Sequence, residues 1–252
     1  MNEPSCDVID LRGKNVLVTG ASRGLGRALA ERLAALGARV VGVARGEAEL
    51  TAAMAAIRDA GGEAHAVVAD VADKDAIARV AGQAAALIGP IDVLVHNAST
   101  LGPTPLRLLL DTDCEDLAAV LETNLVGPFR LTKLIAGPMV LRGSGVVVHI
   151  SSDAAASAYP RWGAYGAAKA AQDHLSRILA AELDGSGVRV LAVDPGEMDT
   201  AMHAAAIPDA DRDALAGPAT VARAIVDMIR DPVRAPGGAR LEAPAWTPTE
   251  TT

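Results

Sequence analysis

Val16-Leu17-Val18-Thr19-Gly20-Ala21-Ser22-Arg23-Gly24-Leu25-Gly26 starts as a short apolar run and turns through three glycines into a stretch of helical period. Glycine at 20, 24 and 26 lets the backbone come close to a pyrophosphate. The N-terminus of a helix starting near Arg23 then favours the negative charge. A tight strand-to-helix turn without a ligand would read the same way, so the motif alone establishes a β-turn-α unit and leaves its ligand open.

The unit recurs along the chain. Short valine-rich runs alternate with long alanine-rich stretches of helical period, as in a parallel sheet covered by helices on both faces. The runs predict strands over residues 16–19, 40–44, 64–69, 93–96, 146–151, 188–193 and 239–243. Gly37 and the pair Gly61-Gly62 fall where helices should end, while Asp73, Asp113 and Pro218 fall where they should begin. The expected fold is α/β, a single-domain Rossmann-like doubly wound parallel sheet of about seven strands spanning residues 1–252. The stretch 198–216 reads as a substrate lid. The residues 244–252, rich in proline and threonine, read as a short flexible tail anchored only by Trp246.

Composition excludes several classes of partner. Half of the 252 residues are apolar and 24 are glycine, enough for a sizeable core and many tight turns. A net charge of −8 repels phosphate backbones and anionic lipid, so no nucleic acid is expected. Asp92 and Arg142 interrupt the longest apolar stretches, so no membrane span is expected either. Cys6 and Cys114 have no companions at metal-ligand spacing, and the N-terminus has neither a basic start nor an apolar stretch. The expected setting is a reducing cytoplasm, with no metal.

The residues that carry chemistry stand elsewhere. Tyr165 and Lys169 are four apart in a predicted helix, which brings phenol and ammonium to one face, and Ser152 lies thirteen residues upstream. A nearby cation should draw the phenol from its reference pKa of ~10 toward neutrality. Asp70, Asn97, Ser151, Ser152, Pro195-Gly196 and Thr200 each follow a predicted strand, at the edge where open α/β sheets bind ligands. The second strand ends in Ala44-Arg45, where an NAD-preferring site usually carries an acidic residue. Arg45, helped by Arg23, could pair with the 2′-phosphate of NADP. The other reading is two ordinary surface arginines, with Glu47 or Glu49 serving NAD.

In this combination and order the chain resembles a short-chain dehydrogenase/reductase of the compact, NADP-preferring kind, from Lys14 to about Ala243. The motifs that carry the resemblance are Thr19 to Gly26, Asp70, Asn97-Ala98, Asn124, Ser152, Tyr165 with Lys169, and Pro195-Gly196 with Thr200. The resemblance implies transfer of a hydride between NADP(H), favoured over NAD(H), and a small-molecule carbonyl or secondary alcohol. Tyr165 would be the proton donor or acceptor, Ser152 would hold the substrate oxygen, and Lys169 would bind the nicotinamide ribose and lower the pKa of Tyr165. Asn124 would hold a relay water on its main-chain carbonyl. The cofactor would be lined by Thr19, Gly20, Ser22, Arg23, Gly24, Leu25, Gly26, Arg45, Asp70, Val71, Asn97, Pro195, Gly196, Met198 and Thr200, besides Tyr165 and Lys169.

Pro128 adds a detail, since it has no N–H to offer the carbonyl of Asn124, four residues back. A helix through both must distort, freeing that carbonyl for water; a helix boundary near Gly127-Pro128 is the alternative. Two departures from the family pattern stand out. The fourth strand ends in His96-Asn97-Ala98-Ser99, with serine in place of the usual glycine, and the last strand runs Arg240-Leu241-Glu242 without closing glycines.

His96 and His149 read as hydrogen-bonded core residues. His203, Glu197, Trp162, Tyr159, Leu101 and Met198 lie near the expected substrate mouth, and lid packing explains them as well as substrate contact does. Leu101, Leu106, Trp162, Met198 and Met202 would make that mouth partly apolar. The stretches 113–141 and 163–183 are apolar over more surface than one sheet face buries, and because the corresponding helices of similar enzymes pair across a two-fold axis, the resemblance implies a homodimer or homotetramer. A non-catalytic NADP-binding regulator or scaffold is the rival reading. Dehydration or epimerisation by the same tyrosine is a third.

Overall fold

The computed structural model describes residues 8–247. Seven strands, β1 (Asn15–Thr19), β2 (Arg39–Ala44), β3 (Glu63–Val68), β4 (Val93–His96), β5 (Gly145–Ile150), β6 (Val188–Asp194) and β7 (Arg240–Glu242), form one sheet in the order β3-β2-β1-β4-β5-β6-β7. Every neighbouring pair is parallel. The expected doubly wound sheet is therefore present, with boundaries within two residues of those read from the valine runs. The last strand is shorter than expected. It is an edge strand entered from the Gly237-Gly238 turn, and its pairing with β6 runs only from Arg240 to Glu242.

Alternation along the strands sorts side chains into two cores. Val16 and Val18 face one layer and Leu17 the other; Val93 and Val95 are likewise separated from Leu94. The first layer packs on α1 (Gly24–Ala35), α2 (Glu47–Asp59) and α8 (Pro218–Arg230), through residues such as Leu29, Met54 and Ile225. The second packs on α3 (Lys74–Ile88) and α5 (Gly127–Arg142), through Ile77, Val80, Leu131 and Met139. No helix among the described residues is long and apolar enough to cross a membrane.

The expected start signals work, each in its own way. Asp73 caps α3 by accepting from the Asp75 N–H at 2.9 Å, and Pro218 is the first residue of α8. Asp113 precedes α4 (Cys114–Leu121) without a capping bond and pairs instead with Arg107 at 3.3 Å.

Between α4 and α5 the helix does not stop. It continues through a π-helical turn, Glu122–Val126. Pro128 cannot bond the carbonyl four residues back, so the ladder there widens to the i→i+5 pattern. The chain thus takes the distorted helix rather than the boundary. The segment from Pro244, expected as a flexible tail, begins as a 3-10 turn, Ala243–Ala245, and Trp246 stacks under Arg234 at 4.0 Å. Residues 248–252 and Cys6 lie outside the described residues.

Candidate active site

The carboxyl ends of β1 to β6 open on a cleft of about 590 Å³. Its floor at one end is the glycine turn, with Gly20, Ser22, Arg23, Gly24 and Leu25 on the surface. Gly20 has φ +68, and a Cβ there would fall 2.8 Å from Asn97 Nδ2, so turn and neighbouring strand meet as only glycine permits. Arg45, Asp70 and Val71 line the cleft beyond the turn, Asn97 lies beside it, and Pro195, Met198 and Thr200 form the side contributed after β6. Tyr165 and Lys169 close the far end.

Two residues of the glycine turn read as cofactor contacts have another place. Thr19 is buried beneath the turn, where its Oγ1 donates to Val95 O at 3.3 Å and accepts from the N–H groups of Asn97 and Ala98 at 3.1 Å. Gly26 is also buried; any side chain there would run into the Gly20 carbonyl. Both hold the shape of the turn without facing the cleft. Asn97 does the same from the side, donating from Nδ2 to Thr19 O at 3.0 Å and Gly20 O at 3.1 Å.

A second cavity of about 470 Å³ adjoins the cleft. Ser152, Tyr165 and Gly196 line it together with Leu101, Trp162, Met198, Met202 and Ile207. Leu106 lies apart from it and packs against the cluster of Leu101 and Tyr165 from a smaller recess. Asp153, Tyr159, Glu197 and His203 supply polar groups to the cavity. Tyr159 donates to Asp153 Oδ2 at 2.9 Å, and His203 stands 3.7 Å from Glu197.

Tyr165 and Lys169 sit one turn apart on α6 (Gly163–Glu182), both buried. The ammonium donates to Ile150 O at 2.6 Å and to Gln172 Oε1 at 3.3 Å, and it lies 5.6 Å from the centre of the Tyr165 ring. The expected pull of Lys169 on the phenol toward neutrality is opposed by burial. Burial pushes Tyr165 up to about 12, against a smaller opposing pull from the hydroxyls of Ser152 and Ser99. Burial also brings Lys169 down to about 8, although the carboxylates of Asp173 and Asp194 oppose it.

Asn124 is fully buried. Its side chain accepts from Thr100 N at 2.8 Å and Ser99 Oγ at 3.2 Å and donates to Thr100 O at 2.9 Å. Its carbonyl, freed by the π-helical turn, accepts from Gln172 Nε2 at 2.8 Å. The expected water-facing carbonyl is thus held by a side chain.

Three contributors escaped the sequence reading. Ser99, noticed only as a missing glycine, joins Asn124 to the neighbourhood of Tyr165. Gln172 stands at i+3 from Lys169, a spacing that could have drawn attention to it. Arg240 reaches from β7 to Asp173 and Asp194 at 3.0 Å each, and to the Ser152 carbonyl at 3.0 Å. Its only signal was to be one of two charged residues in the short last strand, Arg240-Leu241-Glu242. His96 and His149 are core residues as expected: the rings stack at 4.8 Å and pair with Thr132 and Ser176 at 2.8 and 2.9 Å. No cluster of metal ligands occurs among the described residues.

The cleft can take an extended dinucleotide, and the cavity can bring a second molecule to the tyrosine at its end. The model of the short chain dehydrogenase family matches residues 14–211. The chain belongs to that family. A short chain dehydrogenase from Pseudocercospora fijiensis is 38% identical over 199 residues, covering 77% of this chain but 62% of the relative. A 3-oxoacyl-[acyl-carrier-protein] reductase from Synechocystis is 40% identical over 193 residues, 76% of this chain and 77% of that protein. Among solved structures, a variant of the actinorhodin polyketide ketoreductase with NADPH superposes with a TM-score of 0.84 at 30% identity, covering 91% of this chain and 95% of the other. This short-chain dehydrogenase is accordingly an oxidoreductase of the pyridine-nucleotide-dependent type.

Proposed function

We propose that the protein is an NADP(H)-dependent carbonyl reductase in which Tyr165 is the general acid. The observation that carries this reading is that Tyr165 lines both the cleft and the adjoining cavity. A carbonyl oxygen entering the cavity thus meets the phenol at the boundary with the cofactor cleft. With its pKa pushed up to about 12, the phenol is protonated at neutral pH, the form that reduction requires.

When bound, the nicotinamide supplies the hydride that a carbonyl carbon accepts. The chain's own residues do the rest. Ser152, whose Oγ also accepts from the Ala154 N–H at 3.2 Å, holds the substrate oxygen beside Tyr165. Both hydroxyls stabilise the negative charge developing on that oxygen, and Tyr165 delivers its proton there. Lys169 holds the ribose and keeps positive charge beside the phenol. Asn124 braces the loop after β4 through Ser99 and Thr100.

The glycine turn suits a pyrophosphate, since Gly24 and Leu25, the first two residues of α1, line the cleft at the end of the helix that favours negative charge. Arg45 and Arg23, both on that cleft, favour NADP through its 2′-phosphate. Residues 198–216 serve as the substrate lid. A bridge between Met198 and Ala216 draws its ends together, and α7 (Ala201–Ala206) carries Met202 and His203 into the cavity. Phe129, Leu134 and Leu141 on α5 and Ile178 on α6 are exposed, and we assign this surface to a homodimer or homotetramer.

The test is a panel of ketones and secondary alcohols assayed by nicotinamide absorbance, with NADPH affinity measured alongside. Turnover that vanishes in Tyr165→Phe supports the reading. NADPH binding with no turnover of any member would favour the non-catalytic regulator instead.

A further inference from the structure

Gln172 is buried, and an amide taken out of water destabilises the fold unless both of its ends find partners. Both do. Nε2 donates to the main-chain carbonyl of Asn124 at 2.8 Å, and Oε1 accepts from the Lys169 ammonium at 3.3 Å. The first contact joins residues 48 apart in sequence and depends on an irregularity of the helix. In a regular helix the Asn124 carbonyl would be occupied by the N–H four residues on, but that residue is Pro128. The π-helical turn Glu122–Val126 leaves the oxygen available to a donor from α6. Sequence, helix defect and buried amide thus form one device, with Lys169 at its end.

We propose that Gln172 is a positioning residue that ties the Lys169 ammonium to the Asn124 carbonyl and thereby sets the charge and the place of that ammonium beside Tyr165. The inference rests on the proposed role of Lys169 for its catalytic consequence, though the hydrogen-bond chain can be tested without it. Among the described residues Lys169 has two acceptors, Ile150 O and Gln172 Oε1, for its three donors. The Ile150 carbonyl belongs to the rigid end of β5, so the side-chain acceptor is the adjustable one. An amide also carries no exchangeable charge. Gln172 therefore fixes Lys169 without itself accepting its proton.

The charged groups around Lys169 are identifiable from every side. Asp173 on its own helix and Asp194 at the end of β6 favour its protonated form. Arg240 from β7 is bonded to both carboxylates and offsets them. His96 on β4 and His149 on β5 are held neutral by burial, with Lys169 itself opposing their protonation. Tyr165 stands one turn before it, protonated. Against this background a neutral acceptor at Oε1 lowers the free energy of the ammonium form.

The chain has four lysines, Lys14, Lys74, Lys133 and Lys169, so an NMR titration of the full chain labelled at the lysine ε-carbon reads each one, with Lys169→Ala to assign the signal. Gln172→Met keeps length but removes the acceptor, and should lower the titration midpoint of Lys169 by about one pH unit. Gln172→Glu puts a carboxylate in its place and should raise it. Opposite shifts from two side chains of similar length are not produced by a residue that merely fills space. The pH at which reductase activity falls on the alkaline side should move in the same two directions. A folded Gln172→Met or Gln172→Glu chain whose Lys169 midpoint matches the wild type overturns the proposal. Should one variant fail to fold, the other decides alone. If the NMR shifts appear but the wild type reduces no carbonyl, the reductase reading falls and the Gln172 tether stands.

Discussion

Arg240 donates from one guanidinium nitrogen to the main-chain carbonyl of Ser152 at 3.0 Å while the same group holds Asp173 and Asp194. The outermost strand is thereby tied to the loop that carries Ser152. The two carboxylates are 8% exposed, so removing the cation leaves both with little water to replace it. Breaking a buried ion pair from one side costs about 3–5 kcal/mol, and the partial exposure of Arg240 puts its loss near the lower figure. Arg240→Met should lower the unfolding free energy by that amount in denaturant titration. Arg240→Lys should restore little, because an ammonium cannot reach three acceptors in a planar fork. A lysine variant as stable as the wild type would contradict the account.

Tyr165→Phe removes the hydroxyl proposed as proton donor while keeping the ring that Trp162 packs against edge-on at 5.7 Å. Turnover should fall by ~10²–10⁴ with NADPH affinity nearly unchanged. Survival of activity within about tenfold would remove Tyr165 from the role of general acid.

The pH dependence of reduction follows from two groups with separate ranges. Lys169, brought down to about 8, is charged at pH 7 and loses its proton as the pH rises through 8, whereas Tyr165 keeps its own until about 12. The rate of carbonyl reduction should be flat toward neutral pH and decline across the range around 8. Alcohol oxidation needs the phenolate and should instead rise with pH. A reduction rate that increases steadily past pH 8 would mean that Lys169 need not be charged.

The stacked histidines give the fold an acid sensitivity of their own. His149 is lowered by burial to about 3 from an ordinary value of 6.5. Between those values the unfolded chain binds a proton that the folded chain refuses. This contribution to stability is present above pH 6.5 and is lost as the pH falls toward 3. His149→Phe keeps a ring against His96, and Ser176 still donates to Gln172 O at 2.8 Å. The variant should lose less stability than the wild type between pH 7 and pH 5 in denaturant titrations. Parallel losses would place the acid sensitivity elsewhere.

What could be read in the sequence was what depends on near neighbours. Valine runs marked the five inner strands because each is buried on both faces, and Pro128 announced the distorted helix because a missing N–H acts only four residues away. The pair Tyr165 and Lys169 was visible in its spacing. The state of that pair was not, since burial by residues distant in sequence raises one pKa and lowers the other. Arg240 and Gln172 were missed for the same reason: their partners stand 67 and 48 residues away. Thr19 and Gly26 were recognised as belonging to the turn, but only packing shows that they hold it from below.

Cofactor choice should turn on Arg45, which stands at the end of β2 on the cleft and lies 3.7 Å from Asp70. That pair is largely exposed, so it contributes little to stability, and Arg45 can turn to a phosphate without a large loss. A hydrogen bond to a charged group is worth ~1.5–3 kcal/mol, so Arg45→Ala should weaken NADP roughly ten- to a hundredfold and leave NAD nearly unchanged. Arg45→Asp replaces attraction by repulsion next to an existing carboxylate, Asp70. Combined with Arg23→Ala, it should turn the preference toward NAD. Dissociation constants for both cofactors, measured by fluorescence on the three variants, decide the matter. Equal weakening of NADP and NAD by Arg45→Ala would sink the phosphate-clamp role, because a residue that reads only the 2′-phosphate has nothing to lose from a cofactor without one.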